Sequence, residues 1–503
     1  MERFKLAYIG AGSFRFSLGF FRNIINATEL LPMEVALCDV NEKSLKIMTK
    51  ILKRMVKKGS KKIGYDENEI KVTSSSNRRH VLENADFVYK SISVGIQAAE
   101  WYDNYLPIKF GIPQNTGDTV GPGGLFRGLR TNPVVAEIAK DMKELCPNAP
   151  LLNYTNPQAT IVMAAKTVAP DIEYIGLCHE LFGGLNAMHK FANKMMSLNV
   201  PSRWDFDVEY AGVNHFAWFT KVEYGGQDLY PALREKAMDA MYKNIGGRGF
   251  NFYLLDKHNW FPYPGSRHVA EFLPDYYNYF NHEIQYPHWS FPVIRNVWGL
   301  GFNRRTSYWG FKAMAKGIAP VPGPRKKGEH AMEMTLDWRD NNPKQHVVNL
   351  MNNGTVPELP DDCVVEVPGR FKDGKMVPVG TVHLPDNVAD LVRPHAEQHR
   401  LTVDAALGND IDLVIKAMKH DPMAKWIEDE EKLEYLTKLM LYYQQDWLPE
   451  KWQEWIPTKS ELKKSKWWVG KKDLSKWMFR YKKVKFPPKP ELKKKAFFWD
   501  KRD

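Results

Sequence analysis

Two short segments of the sequence carry side chains that could bind a metal. In residues 174–184 an apolar run is followed by Cys178, and in residues 211–216 an apolar run is followed by His215. A thiolate and an imidazole at the ends of two buried strands can bind one divalent transition cation. The pattern leaves a second interpretation open, because a lone cysteine or histidine is often a structural residue of the core.

The N-terminal segment predicts the first elements that would position such a site. Residues 4–9 have the composition of a strand, Gly10 and Gly12 form a tight turn, and residues 34–39 form a second strand that ends in Asp39. Glycine amides at a helix N-terminus can approach a pyrophosphate. An acid at the end of the second strand can accept hydrogen bonds from the adenosine ribose, which favours NAD over NADP.

The alternation of strands and helices continues beyond this unit. A lysine-rich helix over 43–60 is followed by strands over 70–73 and 86–95, the last ending in Gly95, which would lie over the cofactor. This order predicts a mostly parallel, doubly wound α/β sheet, whose ligands bind at the carboxyl ends of the strands. The dinucleotide fingerprint is incomplete, because Arg15 occupies the place of its third glycine, so a plain strand–turn–helix unit remains the alternative.

Residues 115–133 form a glycine-rich stretch with polar side chains. We expect its first half to be irregular and Arg127 and Arg130 to follow at the start of a helix. Such loops usually carry function, although a structural loop is the alternative. A strand and an Asn-Pro turn then place Asn153 and Asn156 at the same edge of the sheet.

The overall composition is that of a globular protein. Apolar residues make up 44% and charged residues 26% of the 503, and the four cysteines are widely scattered. No apolar run approaches the length of a membrane-spanning helix, and a strand begins within a few residues of Met1, so we expect no signal peptide. These features predict a cytoplasmic protein without a disulfide framework or a membrane contact.

The net charge of +12 belongs to the C-terminal extension, residues 451–503. This extension holds 18 Lys and Arg against 6 Asp and Glu, together with six tryptophans: Trp452, Trp455, Trp467, Trp468, Trp477 and Trp499. Aromatic and basic residues together could bind nucleic acid or a membrane surface. No recognisable nucleic-acid module is present, so we favour an extension that packs its aromatic side chains on the body or on a neighbouring subunit.

Several motifs in a fixed order resemble glycoside hydrolase family 4, whose members are NAD- and metal-dependent glycosidases. The similarity covers about residues 4–450 and rests on these motifs: Gly10-x-Gly12-Ser13, Gly117-Asp-Thr-Val-Gly-Pro-Gly-Gly124 with Arg130-Thr131, Asn156-Pro157, Cys178-His179-Glu180, Asn214-His215-Phe216, residues 266–272 and residues 401–422. The resemblance implies a Rossmann-like NAD-binding domain (1–200), a C-terminal α+β catalytic and substrate domain similar to that of lactate and malate dehydrogenases (201–450), the extension (451–503), and a homodimer or homotetramer.

The same resemblance implies an unusual chemistry for glycoside hydrolysis. NAD takes a hydride from C3 of the sugar, which acidifies the C2 proton, and a base then removes that proton. The glycosidic oxygen is eliminated, water adds, and the hydride returns. A metal, usually Mn²⁺, holds the C2 and C3 oxygens.

The resemblance also assigns roles to individual residues. Cys178 and His215 match the metal ligands, Asn156 matches a substrate-binding asparagine, and Asp118 matches the acid of the glycine-rich loop. The residues expected at the cofactor are Gly10, Gly12, Ser13, Phe14, Asp39, Gly95 and Asn153. The base at C2 is open between Tyr263, His268, Glu271 and a metal-bound hydroxide, and we expect His268 to be a site residue in any case.

The triplet Cys178-His179-Glu180 looks most like that of α-galacturonidases, which would act on fragments of pectin. Leu181 replaces the valine of that signature, so an α-glucuronidase, α-glucosidase or α-galactosidase remains an alternative. We expect His179 and Glu180 to contact the sugar. A uronate carboxylate suits a bidentate arginine, and the candidates are Arg127, Arg130, Arg267, Arg304 and Arg305.

Two other functional classes fit parts of the sequence. A dehydrogenase of the lactate/malate type would share the first domain, but it would release NADH stoichiometrically, whereas the glycosidase reaction produces no net NADH. A nucleotide-sensing binding protein would depend on the extension, so deletion of residues 451–503 would separate it from an enzyme.

Overall fold

The computed structural model describes residues 3–14, 16–112, 114, 116–276, 308–324 and 330–470. Its strands are β1 Phe4–Ile9, β2 Met33–Cys38, β3 Ile70–Ser75, β4 Phe87–Lys90, β5 Leu151–Asn153, β6 Tyr174–Gly176, β7 Asp207–Val213, β8 Phe216–Tyr224, β9 Gln227–Asp228, β10 Phe261–Pro262, β11 His346–Met351, β12 Val364–Lys372 and β13 Lys375–Pro378. Its α-helices are Ser17–Ile24, Glu42–Ile63, Arg78–Leu82, Ile96–Lys109, Gly121–Leu145, Gln158–Val168, Glu180–Met195, Tyr230–Glu235, Ala237–Tyr242, Gly249–His258, Ser266–Phe272, His330–Arg339, Asp386–Gly408, Ile411–His420, Glu430–Gln444 and Lys459–Lys463.

The main sheet has nine strands in the order β13-β12-β11-β6-β5-β4-β1-β2-β3. The six strands from β6 to β3 are parallel and show the doubly wound order in which the chain reverses direction beside β1, so the predicted Rossmann-like fold is confirmed. Strands β11 to β13 extend this sheet antiparallel beyond β6. The sheet therefore takes strands from both sides of residue 200, and the predicted division at that residue stays a prediction.

Alternating side chains of the parallel strands pack into two cores, one on each face of the sheet. In β1, Leu6 and Tyr8 contact the core that includes helix Glu42–Ile63, while Ala7 and Ile9 contact the core on the other face. Burial on both faces explains why β1 and β2 form where their apolar runs predict them.

The tight turn after β1 requires glycine for a steric reason. Gly10 has φ +94°, and a Cβ at this position would lie 2.0 Å from the carbonyl oxygen of Ser91. The backbone N–H of Gly12 donates to Asp39 Oδ2 at 2.9 Å, so the acid at the end of β2 holds the turn.

Two predicted boundaries are wrong. The strand expected over 86–95 ends at Lys90, and Gly95 adopts φ +78° just before helix Ile96–Lys109. The first half of the glycine-rich stretch is not irregular throughout, because a helix already begins at Gly121. This helix can start early because Asp421 Oδ2 accepts from Gly121 N at 2.9 Å and thereby caps a free backbone donor.

A second, antiparallel sheet carries the histidine segment. Strands β7 and β8 form a hairpin, β9 and β10 pair with β8, and His215 lies in the β7–β8 turn with φ +68°. A positive φ is uncommon for a residue with a side chain, so tertiary contacts must hold this turn.

The described part of the extension packs on the body of the protein. Trp452 is fully buried, and Trp467 and Trp468 pack partly buried against the same core. Their neighbours include helices Ile96–Lys109 and Glu430–Gln444. Trp477 and Trp499, and the candidate substrate residues Arg304 and Arg305, lie outside the described residues. No helix within the described ranges is long and apolar enough to cross a membrane.

Candidate active site

The predicted site residues converge at the carboxyl edge of the parallel sheet. Cys178 follows β6, directly before helix Glu180–Met195. The β7–β8 turn brings His215 to this edge, and helix Ser266–Phe272 contributes His268. Ligands of doubly wound sheets bind at this edge, so the fold places the candidate residues where a site is expected.

Three ionisable side chains form a tight group there. Asp118, His215 and His268 can each offer a ligand atom, and these atoms lie within 4.8 Å of one another. The rings of His215 and His268 stack with centroids 4.0 Å apart. Buried carboxylate and imidazole groups this close together suit a divalent cation.

Thr119 determines which nitrogen of His215 can act as a ligand. The Thr119 hydroxyl donates to Asp118 Oδ1 at 2.8 Å and lies 2.8 Å from His215 Nδ1. Because the hydroxyl proton points to the carboxylate, the Nδ1–H of His215 must donate to Thr119 Oγ1. Burial, reinforced by His268, lowers the pKa of His215 to about 3. The imidazole is therefore neutral, with Nε2 free to bind a cation.

Cys178 lies beside the group of three and is not a member of it among the described residues. Its thiol is buried and hydrogen-bonds with the side chain of Asn214, the residue before His215. Burial and the neighbouring carboxylates Glu366 and Glu180 raise the pKa of Cys178 well above its usual value. A nearby cation would reverse this preference, because thiolate is the form that binds metals.

Glu366 is a buried carboxylate that the sequence patterns did not single out. It lies on β12 and accepts from Asn214 Nδ2 at 2.9 Å, from Asn349 Nδ2 at 3.0 Å and from the hydroxyl of Tyr263. Burial raises the pKa of Tyr263 well above its usual value, and the negative charge of Glu366 adds to this. The hydrogen bond to Glu366 orients the Tyr263 phenol, and Tyr263 and His268 both stay candidates for the base at C2.

Glu180 is held by a second group that the sequence patterns missed. Its Oε2 accepts from Arg248 Nη2 at 3.1 Å and from the backbone N–H of Gly265 at 2.7 Å. Burial raises the pKa of Glu180, but the charges of His268 and Arg248 outweigh it and lower the pKa to about 2. The carboxylate is therefore ionised and oriented at the site.

Two acids anchor the glycine-rich stretch. Glu271 Oε1 accepts from the backbone N–H groups of Thr116 at 2.6 Å and Gly117 at 3.0 Å. Asp421 holds the start of the following helix through Gly121, and burial raises its pKa to about 7. These contacts position Asp118, which lies between the two anchors.

The predicted arginines divide into two groups. Arg130 is buried, with Nη1 2.9 Å from Asp103 Oδ1 and Nε 3.1 Å from Val94 O, and these contacts assign it a structural role in place of the expected substrate contact. Arg127 donates to the carbonyl of Asn156 at 3.1 Å, which ties the helix to the Asn-Pro turn. Arg267 and His179 are exposed at the site's edge.

The predicted cofactor residues lie at or beyond the carboxyl ends of β1, β2, β4 and β5. Ser13 and Phe14 continue the turn, and Phe14 stacks on Phe311 with centroids 4.8 Å apart. A Cβ on Gly95 would lie 3.0 Å from the ring of Trp447. Asn153 at the end of β5 donates to Thr155 O at 2.9 Å and to Gln158.

Arg248, Glu366 and Asp421 act through partners far away in the chain. Arg248 lies 68 positions from its partner Glu180, and Glu366 lies 152 positions from Asn214. Asp421 lies 300 positions from Gly121. No local spacing links such pairs. A buried charged residue on a strand, as Glu366 is on β12, is the one feature that could have drawn attention.

Comparisons with known proteins agree with this arrangement. A model described as "Family 4 glycosyl hydrolase" matches residues 5–194, and one for the family's C-terminal domain matches residues 210–424. An alpha-galacturonidase of Thermoanaerobacter italicus is 31% identical over 439 residues, covering 84% of this chain and 93% of that protein. An alpha-galactosidase of Rhizobium meliloti is 28% identical and covers 90% of each chain.

Solved structures show the same fold. LplD from Bacillus subtilis superposes with a TM-score of 0.76 at 27% identity, over 88% of this chain and all of that one. A 6-phospho-alpha-glucosidase from gut microorganisms, solved in complex with NAD and Mn²⁺, gives a TM-score of 0.70 at 20% identity, over 89% of this chain and all of that one. The fold, the convergent side chains and the identity along most of its length show that this chain belongs to family 4 of the glycosyl hydrolases.

Proposed function

We propose that this protein is an α-galacturonidase that uses NAD and a divalent cation, with Mn²⁺ as the expected metal. The observation that carries the proposal is the convergence of Cys178, His215, Asp118 and His268 beside the carboxyl ends of β4 to β6. Sulfur, imidazole and carboxylate donors together fit a transition cation. The similarity to alpha-galacturonidases supports the choice of sugar.

The residues around β1 would hold the cofactor. The tight turn of Gly10 and Gly12 after β1 would bind the pyrophosphate, and Asp39 at the end of β2 would face the ribose. When bound, NAD supplies an acceptor for a hydride from the sugar, and the cation polarises the neighbouring oxygens.

The remaining steps use side chains of this chain. His268 stacks on His215, and its imidazole, when neutral, would take the proton from C2 of a sugar held beside the cation site. Asp118, fixed through Thr119, holds His215 in one tautomer. Glu180 is ionised and can accept a hydrogen bond from a sugar hydroxyl through its Oε1. Asn156, the first residue of the Asn-Pro turn, would donate to the sugar.

Arg267 is the described arginine best placed for a uronate carboxylate. It is exposed and precedes His268 in the same helix. A guanidinium binds a carboxylate through two parallel hydrogen bonds. This geometry supports a uronide over a neutral hexoside.

The proposed biological setting follows from the substrate. Uronide oligosaccharides come from pectin, and the protein would act on them in the cytoplasm as a homodimer or homotetramer. All four cysteines are free and buried, in keeping with a reducing compartment. The proposed domains are 1–200 for NAD, 201–450 for substrate, and the extension 451–503.

A panel of nitrophenyl α- and β-glycosides tests the proposal, with NAD, Mn²⁺ and reductant omitted in turn. We expect turnover of the α-galacturonide, loss of turnover without any one of the three, and no net NADH. Stoichiometric NADH would identify a dehydrogenase instead. Turnover in a chelator without dinucleotide would refute the mechanism.

The role of Glu180 is tested by Glu180→Ser. If Glu180 accepts a hydrogen bond only from a sugar hydroxyl in the axial or only in the equatorial position, the variant should lose its preference between galacturonide and glucuronide. Arg267→Lys keeps the charge but removes the bidentate grip, so it should raise KM for uronides and leave neutral hexosides unaffected. An unchanged sugar preference in both variants would contradict these assignments.

A further inference from the structure

An exposed tryptophan lies beside the candidate active site. The side chain of Trp204 is 56% exposed and follows Arg203 in the segment before β7. Most large aromatic side chains in the described part of the chain are buried, and tryptophan is enriched at binding surfaces.

The indole ring of Trp204 is held in place by two neighbours. The guanidinium carbon of Arg203 lies 4.6 Å from the centroid of the indole, and the ring of Phe182 meets the indole edge-on at 5.2 Å. Arg203 Nη1 also donates to the carbonyl of Phe182 at 3.4 Å. The attraction between a cation and the face of an aromatic ring favours one orientation of the indole.

These contacts place Trp204 next to the N-terminal turn of helix Glu180–Met195. Phe182 lies in the first turn of helix Glu180–Met195, two residues after Glu180. His330 also meets the Phe182 ring edge-on, with ring centroids 5.4 Å apart. We call Phe182, Arg203, Trp204 and His330 the rim cluster.

The pairing of β6 with β11 in the main sheet is a second observation that relates the rim cluster to the candidate site. Asn349 of β11 pairs antiparallel with Gly176 of β6, so His346 at the start of β11 lies beside the carboxyl end of β6, where Cys178 follows. His346 in turn contacts His330 of the rim cluster, with ring centroids 4.7 Å apart. The rim cluster therefore borders the site from the β11 side.

We propose that the rim cluster is the subsite for the leaving-group sugar, and that it selects a uronic acid residue. This inference rests on the proposed glycosidase function. The apolar C–H face of a pyranose ring packs well on an exposed indole. A uronate carboxylate would pair with Arg203, which has no carboxylate partner within the described part of the chain.

A second copy of this chain is the competing occupant. Stable protein interfaces bury about 800 Å² on each partner, much more than one indole and one guanidinium provide. A single ring with one charged neighbour matches the size of one sugar residue better. Arg203 also predicts selection by charge, which an apolar subunit contact does not require.

Trp204→Ala tests the subsite with two substrates, an α-linked galacturonic acid dimer and methyl α-galacturonide. If the rim cluster is the subsite, the second sugar of the dimer contacts it, whereas a methyl group is too small to do so. We expect the ratio of kcat/KM for the dimer over the methyl glycoside to fall about tenfold, mainly through KM, because one packing contact is lost. Trp455→Ala is the matched control, since Trp455 is also exposed (40%) but lies in the extension.

Arg203→Met tests the charge. It should lower the turnover of the dimer but not of a dimer whose leaving-group carboxylate is methyl-esterified. The oligomeric state of each variant is measured by analytical ultracentrifugation. A changed oligomeric state in Trp204→Ala, or an unchanged substrate ratio, overturns the subsite.

Direct binding separates failure of the subsite from failure of the proposed function. If the unaltered protein hydrolyses neither galacturonide, the proposed function fails, and calorimetric binding of the dimer still decides on the subsite. Equal affinity of Trp204→Ala and the unaltered protein for the dimer then refutes the rim cluster as a sugar site. Weaker binding by Trp204→Ala, with Trp455→Ala unchanged, supports it.

Discussion

Replacing Asp421 by asparagine should make the stability of this protein depend less on pH. The carboxylate of Asp421 is buried and accepts from the backbone N–H groups of Gly121 and Met423. Burial raises its pKa to about 7, from an ordinary value of 3.8. The folded state therefore holds a proton on Asp421 over a pH range in which the unfolded chain has lost it.

The sign of the effect follows from proton linkage. Between pH 4 and pH 7 the folded state binds more protons than the unfolded state, so stability falls as the pH rises. The contribution of the Asp421 carboxyl to the free energy of unfolding is fully present below pH 3.8 and is lost as the pH rises through 7. With 1.36 kcal/mol for each pKa unit, the change between pH 5 and pH 8 amounts to about 3 kcal/mol.

Urea unfolding of the unaltered protein and of Asp421→Asn at pH 5, 6, 7 and 8 measures this change. The asparagine loses one of the acceptor contacts, so the variant should be the less stable at pH 5. The difference in the free energy of unfolding between the unaltered protein and the variant should be smaller at pH 8 than at pH 5 by about 3 kcal/mol. Asp421→Ser, which also lacks the ionisable group, should show the same pH trend. A deficit that does not change with pH in either variant would refute the reasoning.

Three further perturbations test the site. Cys178→Ser should reduce Mn²⁺ binding, measured by electron paramagnetic resonance, by at least about tenfold, because a hydroxyl is a poor substitute for thiolate; unchanged binding would remove Cys178 from the ligand set. Glu366→Gln should weaken Mn²⁺ binding about 10–100-fold by releasing Asn214 beside His215, as for other partners of metal ligands; an effect on global stability alone would contradict this. Arg248→Met should lower the free energy of unfolding by about 3 kcal/mol, because it leaves the buried carboxylate of Glu180 without its ion partner; Arg248→Lys should recover part of the loss, and equal losses in both variants would argue against the ion pair.

Elements that depend on local patterns were predictable from the sequence. Strand β1 begins and ends where its apolar run does, and the lysine-rich helix expected over 43–60 is observed as Glu42–Ile63. Strand β1 is a short buried segment, and the helix is amphipathic. Both patterns can be recognised from residues that are close together in the sequence. The meeting of Cys178 with the Asn214–His215 turn also followed, but through the family resemblance and not from spacing.

Elements that depend on distant contacts were not predictable. The helix that begins at Gly121 relies on Asp421, and the glycines of its first turn are needed for close packing: a Cβ on Gly123 would lie 2.5 Å from Asp103 O. Arg130 looked like a substrate ligand, but its partner Asp103 lies on a neighbouring helix. In both cases the partner, Asp421 or Asp103, lies too far away in the sequence for a local pattern to indicate the contact.

The pairing of β6 with β11 has a consequence for how the protein is made. Gly176 meets its partner Asn349 across the sheet, so β6 remains an open edge until roughly 170 further residues have been synthesised. At about 5–20 residues per second, the ribosome needs about 9–35 s to supply the missing strand. During that interval the half of the molecule that carries Cys178 exposes unpaired backbone groups, and it is then that a chaperone would protect the nascent chain most usefully.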